Sequence, residues 1–154
     1  MDGSTDDSGN GVIARRATVA EIFQLRRDVL RAGLPVEAAQ FPGDDSPATI
    51  HVGAFASDGR NVGCATGTLN QWDGRPAWQL RGMAVAPDWQ RRAVGQRVLA
   101  ELERQVRENS DVRQLWCNAR EIALEFYKAQ GWRIESERFV IETAGPHYKM
   151  TREI

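Results

Sequence analysis

The residues best suited to chemistry in this chain crowd the mouth of a helix. From Gln90 to Gln96 the order is Gln-Arg-Arg-Ala-Val-Gly-Gln, with no acidic residue and with Arg97 just beyond. A helix start carries unpaired N–H groups and the positive end of its dipole, so an anion is stabilised there even without side chains. A carboxylate would compete for the same donors, and none is present. One reading is therefore an anion grip; the other is a solvated basic helix start. Two familiar phosphate motifs are excluded. The P-loop needs Gly-Lys-Ser/Thr at this turn. The dinucleotide fingerprint needs two further glycines and a later acid.

Other side chains able to move or hold protons are scattered. Tyr127 falls in a helical run beside Leu124 and is a proton donor or a core tyrosine. His51 and His147 are the only histidines, the side chains that titrate nearest neutrality. His51 sits mid-strand, where a hydrogen-bonded structural role fits equally well. Glu37, Asp44 and Asp45 lie in a long polar loop and together hint at a cationic ligand. Arg81 either holds a carboxylate or pairs structurally.

These residues need elements to position them. In "TVAEIFQLRRDVLRAG", Thr18 and Glu21 form a capping box, Ile22, Leu25 and Val29 share a face, and Gly33 stops the helix. Residues 34–48 read as one helical turn and a Pro/Gly/Asp loop, of a length more often functional than idle. "TIHVGAF" and "VGCATGTL" form a hairpin, and "AWQLRGMAV" is a central strand ended by Pro87. Val94, Val98, Leu102 and Val106, joined by Leu99, make the apolar stripe of a helix over 94–108. "RQLWCNA" is a strand, and "EIALEFYKAQG" is a helix closed by Gly131 with Trp132 as the apolar residue of the cap. "WRIESERFVIE" and "GPHYKMTREI" are the last two strands. Antiparallel hairpins thus come first and two β-α-β crossovers follow, in one mixed α/β (α+β) domain over residues 11–154. Residues 1–10, "MDGSTDDSGN", read as a disordered tail.

Composition narrows the class. The 154 residues are 42% hydrophobic and 27% charged, with a net charge of -1, which argues against bulk nucleic-acid binding. Eighteen of the twenty basic residues are arginine; the lysines are Lys128 and Lys149. Cys64 and Cys117 sit in apolar runs as free thiols, which suits a reducing cytoplasm. The opening "MDGSTDDSGN", acidic and polar, does not read as a signal peptide, and no run of 18 apolar residues is present to span a membrane.

Three runs, "MAVAPDWQRRAVGQRVL", "LWCNAR" and "ALEFYKAQGW", resemble the GNAT superfamily of acyl-CoA-dependent N-acetyltransferases. Its signature is a strand, a proline, and Gln/Arg-x-x-Gly-x-Gly/Ala opening a helix, here Gln90-Arg91-Arg92-Ala93-Val94-Gly95. A second block, Ala-x-x-x-Phe-Tyr-x-x-x-Gly-Phe, corresponds to Ala123–Trp132. The resemblance covers residues 11–152. It implies a mixed, twisted sheet of six to seven strands, splayed at its centre and flanked by helices on both faces. It implies acetyl-CoA as cosubstrate, no metal, and an acetyl group moved to a primary amine by direct attack. Arg91 to Gln96, with Gln90, would take the pyrophosphate; Met83, Ala84 and Val85 the pantetheine arm; and Asn118 would contact the cofactor. Tyr127 would protonate the leaving thiolate, a transfer eased by the nearness of tyrosine and thiol acidities. The candidate bases are His147, on a strand that in the family often borders the acceptor, and His51; either would take the proton of the amine directly or through water. Gln79 stands where some members carry a catalytic glutamate. A small-molecule acceptor, a cytoplasmic setting and a homodimer are further expectations, with Trp72 and Trp89 as interface candidates. The competing reading keeps the fold as a catalytically silent acyl-CoA-binding or regulatory module.

Two positions depart from the pattern. Ala93 replaces the usual first glycine, and Arg91 occupies another position often held by glycine. If Ala93 is already right-handed helical, its methyl group is harmless. That conformation is expected here, because Ala93-Val94 runs directly into the helical stripe.

Overall fold

The computed structural model describes residues 11–154; the expected tail over residues 1–10 lies outside the described residues. Strands β1 (Ile13–Ala17), β2 (Ile50–Phe55), β3 (Asn61–Trp72), β4 (Arg75–Val85), β5 (Gln114–Arg120), β6 (Arg133–Ile134), β7 (Phe139–Ile141) and β8 (Gly145–Glu153) form one sheet. Its order is β1-β2-β3-β4-β5-β8-β6, with β7 also on β8. Every pairing is antiparallel except β4–β5. The helices are α1 (Val19–Leu30), α2 (Val94–Asn109) and α3 (Leu124–Ala129). Among the described residues no helix is long and apolar enough to cross a membrane.

The helices cover opposite faces of the sheet. The stripe Val94, Val98, Leu99, Leu102 and Val106 of α2 packs on Val52, Val62, Ala65 and Trp78. Tyr127 of α3 joins the same core. On the other face Ile22 of α1 meets Ala17, Cys64 and Ala84. The capping box of α1 forms as the sequence indicates: Glu21 N–H donates to Thr18 Oγ1 at 3.2 Å, and Thr18 N–H to Glu21 Oε1 at 2.9 Å. Helix α1 ends at Leu30, three residues before Gly33. Arg31 turns out of it, its Nε donating to the Ala38 carbonyl at 3.1 Å and tying the helix end to the following 3-10 turn (Val36–Ala39).

The sheet has eight strands, not six or seven. The run from Trp132 to Glu142 is two short strands, because a serine breaks its ladder. Ser136 Oγ accepts from Lys149 N–H at 2.8 Å and donates to the Glu137 carbonyl at 2.9 Å, which kinks the chain between β6 and β7. The closing of α3 agrees with the sequence: Gly131 has φ +95°, and Trp132 N–H reaches back to the Tyr127 carbonyl at 3.0 Å.

The sheet opens where the site lies. In the β3–β4 pairing Cys64 faces Ala84 but Thr66 faces Arg81, so Gly82 and Met83 together oppose Ala65. This is a β-bulge, which bends its strand and increases its twist. Gly82 has φ +63°, and a Cβ there would stand 2.9 Å from the Phe41 ring; both facts demand glycine. Strands β4 and β5 pair only from Trp78–Leu115 to Leu80–Cys117. Beyond the bulge they diverge. Arg81–Val85 on one side and Asn118 and Arg120 on the other become walls of a cavity of about 790 Å³.

Candidate active site

The turn before α2 forms the outer end of this cavity. Arg91 (φ +65°) and Ala93 (φ +63°, ψ +16°) are both left-handed. The expected right-handed helical Ala93 is thereby corrected: the turn must reverse direction before the helix starts, and the reversal falls on these two residues. A turn with left-handed residues on either side of Arg92, running into an uncapped helix start, is a backbone conformation that can present successive N–H groups to an anion. Helix α2 has no side-chain cap and no acid in its first turn. Its first backbone bond runs from Arg97 N–H to the Ala93 carbonyl at 3.1 Å. Gly95 lets the helix start approach its neighbours, since a Cβ there would lie 3.3 Å from Met83 Cε and 3.4 Å from Phe126.

A left-handed alanine carries strain of about 1–2 kcal/mol that glycine avoids. Ala93→Gly is therefore expected to stabilise the chain by roughly 1 kcal/mol, after glycine's own entropic cost. Urea unfolding checks it; a lower midpoint at unchanged slope would contradict the left-handed turn.

Next along the cavity comes the open edge of β4. Ala84 and Val85 pair with Cys64 and Gly63 on their β3 side, and the β5 side faces the cavity. A strand edge with free backbone groups is a template for an extended amide ligand. The Gln90 side-chain amide donates to the Val85 carbonyl at 3.3 Å and so braces the strand end. Val94, Gly95, Gln96, Arg91, Ala93 and Gln90 all line the cavity, as do Met83, Ala84 and Val85. Arg92 is the exception among the residues expected to hold the cosubstrate. Its guanidinium lies 4.8 Å over the Trp89 ring, and it does not line the cavity.

Tyr127, Asn118 and His147 line the inner part of the same cavity. Tyr127 is 6% exposed, its ring edge-on to Phe126 and Trp132 at 5.3 and 5.4 Å. Burial, with Cys117 alongside, pushes its phenol well above the ordinary value near 10. The close match of tyrosine and thiol acidity expected from sequence is thus widened: the hydroxyl stays protonated, as a donor must, and resists full ionisation. Asn118 Oδ1 accepts from Lys149 Nζ at 2.9 Å. His147 Nδ1 contacts the Gly145 carbonyl at 2.7 Å. A carbonyl only accepts, so Nδ1 carries the hydrogen and the neutral ring keeps its lone pair on Nε2.

His51 has a structural role. Arg26 Nη2 donates to Thr66 Oγ1 (2.8 Å), the Thr66 hydroxyl to His51 Nδ1 (2.8 Å), and His51 Nε2–H to the Asp44 carbonyl (3.0 Å). Burial lowers His51 below its usual range, partly offset by the Asp44 carbonyl. The loop acids do not form a cationic-ligand site. Asp44 binds the fully buried Arg26 through both oxygens, at 2.7 and 3.2 Å, and accepts from Phe41 N–H at 2.9 Å. Glu37 and Asp45 do not line the cavity. The interface candidates are used within the chain: Trp72 packs on Trp116 at 5.6 Å and Trp89 lies under Arg92.

Sequence reasoning missed Arg31, Phe41 and Arg120, all in the cavity wall. Arg120 had a signal, since Trp116, Asn118 and Arg120 alternate along β5 on the face opposite Cys117. Arg31 and Phe41 come from the end of α1 and the long loop, and no local pattern points them here.

Comparison with known proteins fits this architecture. The model of the Acetyltransferase (GNAT) family matches residues 19–132. The uncharacterized N-acetyltransferase YitI of Bacillus subtilis (strain 168) is 26% identical over 140 residues, spanning 89% of this chain and 93% of the relative. A GCN5-related N-acetyltransferase from Kribbella flavida shares the fold with a TM-score of 0.71 at 20% identity, covering 96% of this chain and 100% of that one. An aminoglycoside 6'-N-acetyltransferase complexed with coenzyme A superposes with a TM-score of 0.72 at 16% identity, covering 92% and 96%. The splayed β4–β5 pair, the uncapped turn into α2 and the family match over residues 19–132 agree: this chain belongs to the GNAT family and is an N-acetyltransferase.

Proposed function

We propose that the chain transfers an acetyl group from acetyl-CoA to the primary amine of a small molecule, by direct attack in a ternary complex. The observation that carries this is the continuity of one cavity from the uncapped, left-handed turn at residues 91–93, along the open edge of β4, to Tyr127 and His147. Those surroundings fit the cosubstrate: convergent N–H groups for a pyrophosphate at Arg91–Gln96, and free strand groups at Met83–Val85 for the amides of the pantetheine arm. The CoA complex of the aminoglycoside acetyltransferase of the same fold supports the choice.

Bound acetyl-CoA supplies the acetyl group as an activated thioester. Backbone N–H groups where β4 leaves β5 polarise its carbonyl, in a site already organised by the bulge. The lone pair on His147 Nε2 takes the proton of the amine, directly or through water. Tyr127 Oη holds its proton in the resting protein and donates to the sulfur as negative charge builds there. A covalent route through the protein is disfavoured by its thiols: burial pushes Cys64 up to about 12 and raises Cys117 further, so neither forms a thiolate near neutrality.

The test follows free thiol from acetyl-CoA with and without small amines, and the mass of the intact chain. Thiol release should require an amine and leave the chain unmodified. An acetylated chain accumulating before an amine is added would contradict direct attack.

A further inference from the structure

The acceptor end of the cavity is built for a negative charge. Four arginines line the cavity, Arg31, Arg81, Arg91 and Arg120, and among the described residues no aspartate or glutamate does. Arg91 belongs to the outer turn. The other three gather where β4 and β5 part: Arg81 one residue before the bulge, Arg120 at the end of β5, and Arg31 at the end of α1 between them and the loop. Among the described residues none of the three forms an ion pair. Their contacts are neutral. Arg31 donates to the Ala38 and Leu30 carbonyls at 3.1 and 3.0 Å, Arg120 to the Leu30 carbonyl at 3.3 Å, and Arg81 rests 4.6 Å over the Phe41 ring.

The carboxylate that acts on Arg81, Asp44, is already committed. Asp44 is held by Arg26 and the Phe41 N–H, so it offsets a cation that is itself fully buried. Lys149, paired with Asn118 across the β5–β8 ladder, adds a further positive charge to this face. The arginines feel one another: burial and then neighbouring guanidinium groups lower Arg31, and burial and then Arg26 lower Arg81 against the smaller, opposing pull of Asp44. Part-buried like charges without a counter-ion are costly unless an anion joins them.

Resting on the acetyltransferase reading, we propose that the acceptor is an amine that also bears a carboxylate, bound by Arg81 with Arg120 and Arg31 beside it. An amine placed in the splay leaves the rest of the molecule against these groups. The planar guanidinium fork matches a carboxylate in a way that an ammonium does not.

The test uses the full chain with free α- and ω-amino acids, their carboxamides, and spermidine. Two readouts are taken: kcat/KM by thiol release, and the melting shift each amine adds in the presence of CoA. A carboxylate should be the best acceptor, about 10-fold or more above its carboxamide and chiefly through KM. It should also add a melting shift that the carboxamide does not. Arg81→Gln should bring the pair to within about twofold, and Arg81→Lys should restore part of the gap. Arg120→Gln, which leaves the Phe41 stack intact, should narrow it as well. Equal use of carboxylate and carboxamide, a preference for spermidine, or an undiminished gap in both glutamine variants would overturn the assignment. A melting shift from CoA without carboxylate preference defeats this inference alone; no shift from CoA itself defeats the acetyltransferase reading.

Discussion

Tyr127→Phe is expected to lower kcat by about 10²-fold or more, the low end of what a positioned acid contributes, while acetyl-CoA binds as before. The separation follows from geometry. The phenyl ring keeps its edge contacts with Phe126 and Trp132, so the core at the base of α3 is unchanged and only the hydroxyl is lost. Because burial holds the phenol well above 10, its ionisation should not limit activity below about pH 10. Steady-state kinetics and a cofactor melting shift on the same variant check both halves. Unchanged kcat would move the acid role elsewhere, and a lost melting shift would make the hydroxyl a binding group.

The second large effect is on stability. Asp44→Ala should cost about 3–5 kcal/mol, because it strands the fully buried charge of Arg26. Adding Arg26→Met should recover part of that loss, the mark of a coupled pair. Acid sensitivity follows with a definite sign. Burial works to raise the Asp44 carboxyl, but the Arg26 and Phe41 hydrogen bonds outweigh it and hold the group below its ordinary value. His51 is also lowered, by burial. Groups lowered on folding stabilise above their unfolded values and lose that contribution as pH falls through the folded ones. The native chain should thus begin to weaken below about pH 6.5 through His51 and again below about pH 4 through Asp44 and through Glu21, which Arg15 holds at about 2, and Asp44→Ala should show a smaller lower step. Urea midpoints across this range measure it; a midpoint for Asp44→Ala equal to that of the native chain would contradict the pair.

Much of this was legible in the residue order, because the signals are local. The i+4 stripe of α2, the Thr18–Glu21 box and the Gly131–Trp132 cap each depend on neighbours within one or two turns. The residues that line the outer cavity were legible for the same reason, since the turn and the strand before it are contiguous. What escaped depends on contacts far apart in the chain. Ala93 looks like the first residue of a helix, and only the return path from β4 forces it left-handed. Gly82 is one glycine in a strand until Phe41 and Arg26 come against it. Asp44 reads as one of three loop acids facing a cationic ligand, because the cation it actually binds, Arg26, lies 18 residues earlier on α1. The three arginines of the inner cavity come from three separate elements, so no local pattern brings them together, and the proposed anionic acceptor rests on that convergence.

In the proposed function the turn over 91–96 and the open edge of β4 hold acetyl-CoA. Thermal unfolding of the full chain with and without acetyl-CoA tests it most directly. At about 100-fold excess over Kd the account predicts a gain of about 2.7 kcal/mol, seen as a melting temperature that climbs with concentration. A melting curve unmoved at millimolar acetyl-CoA would contradict it.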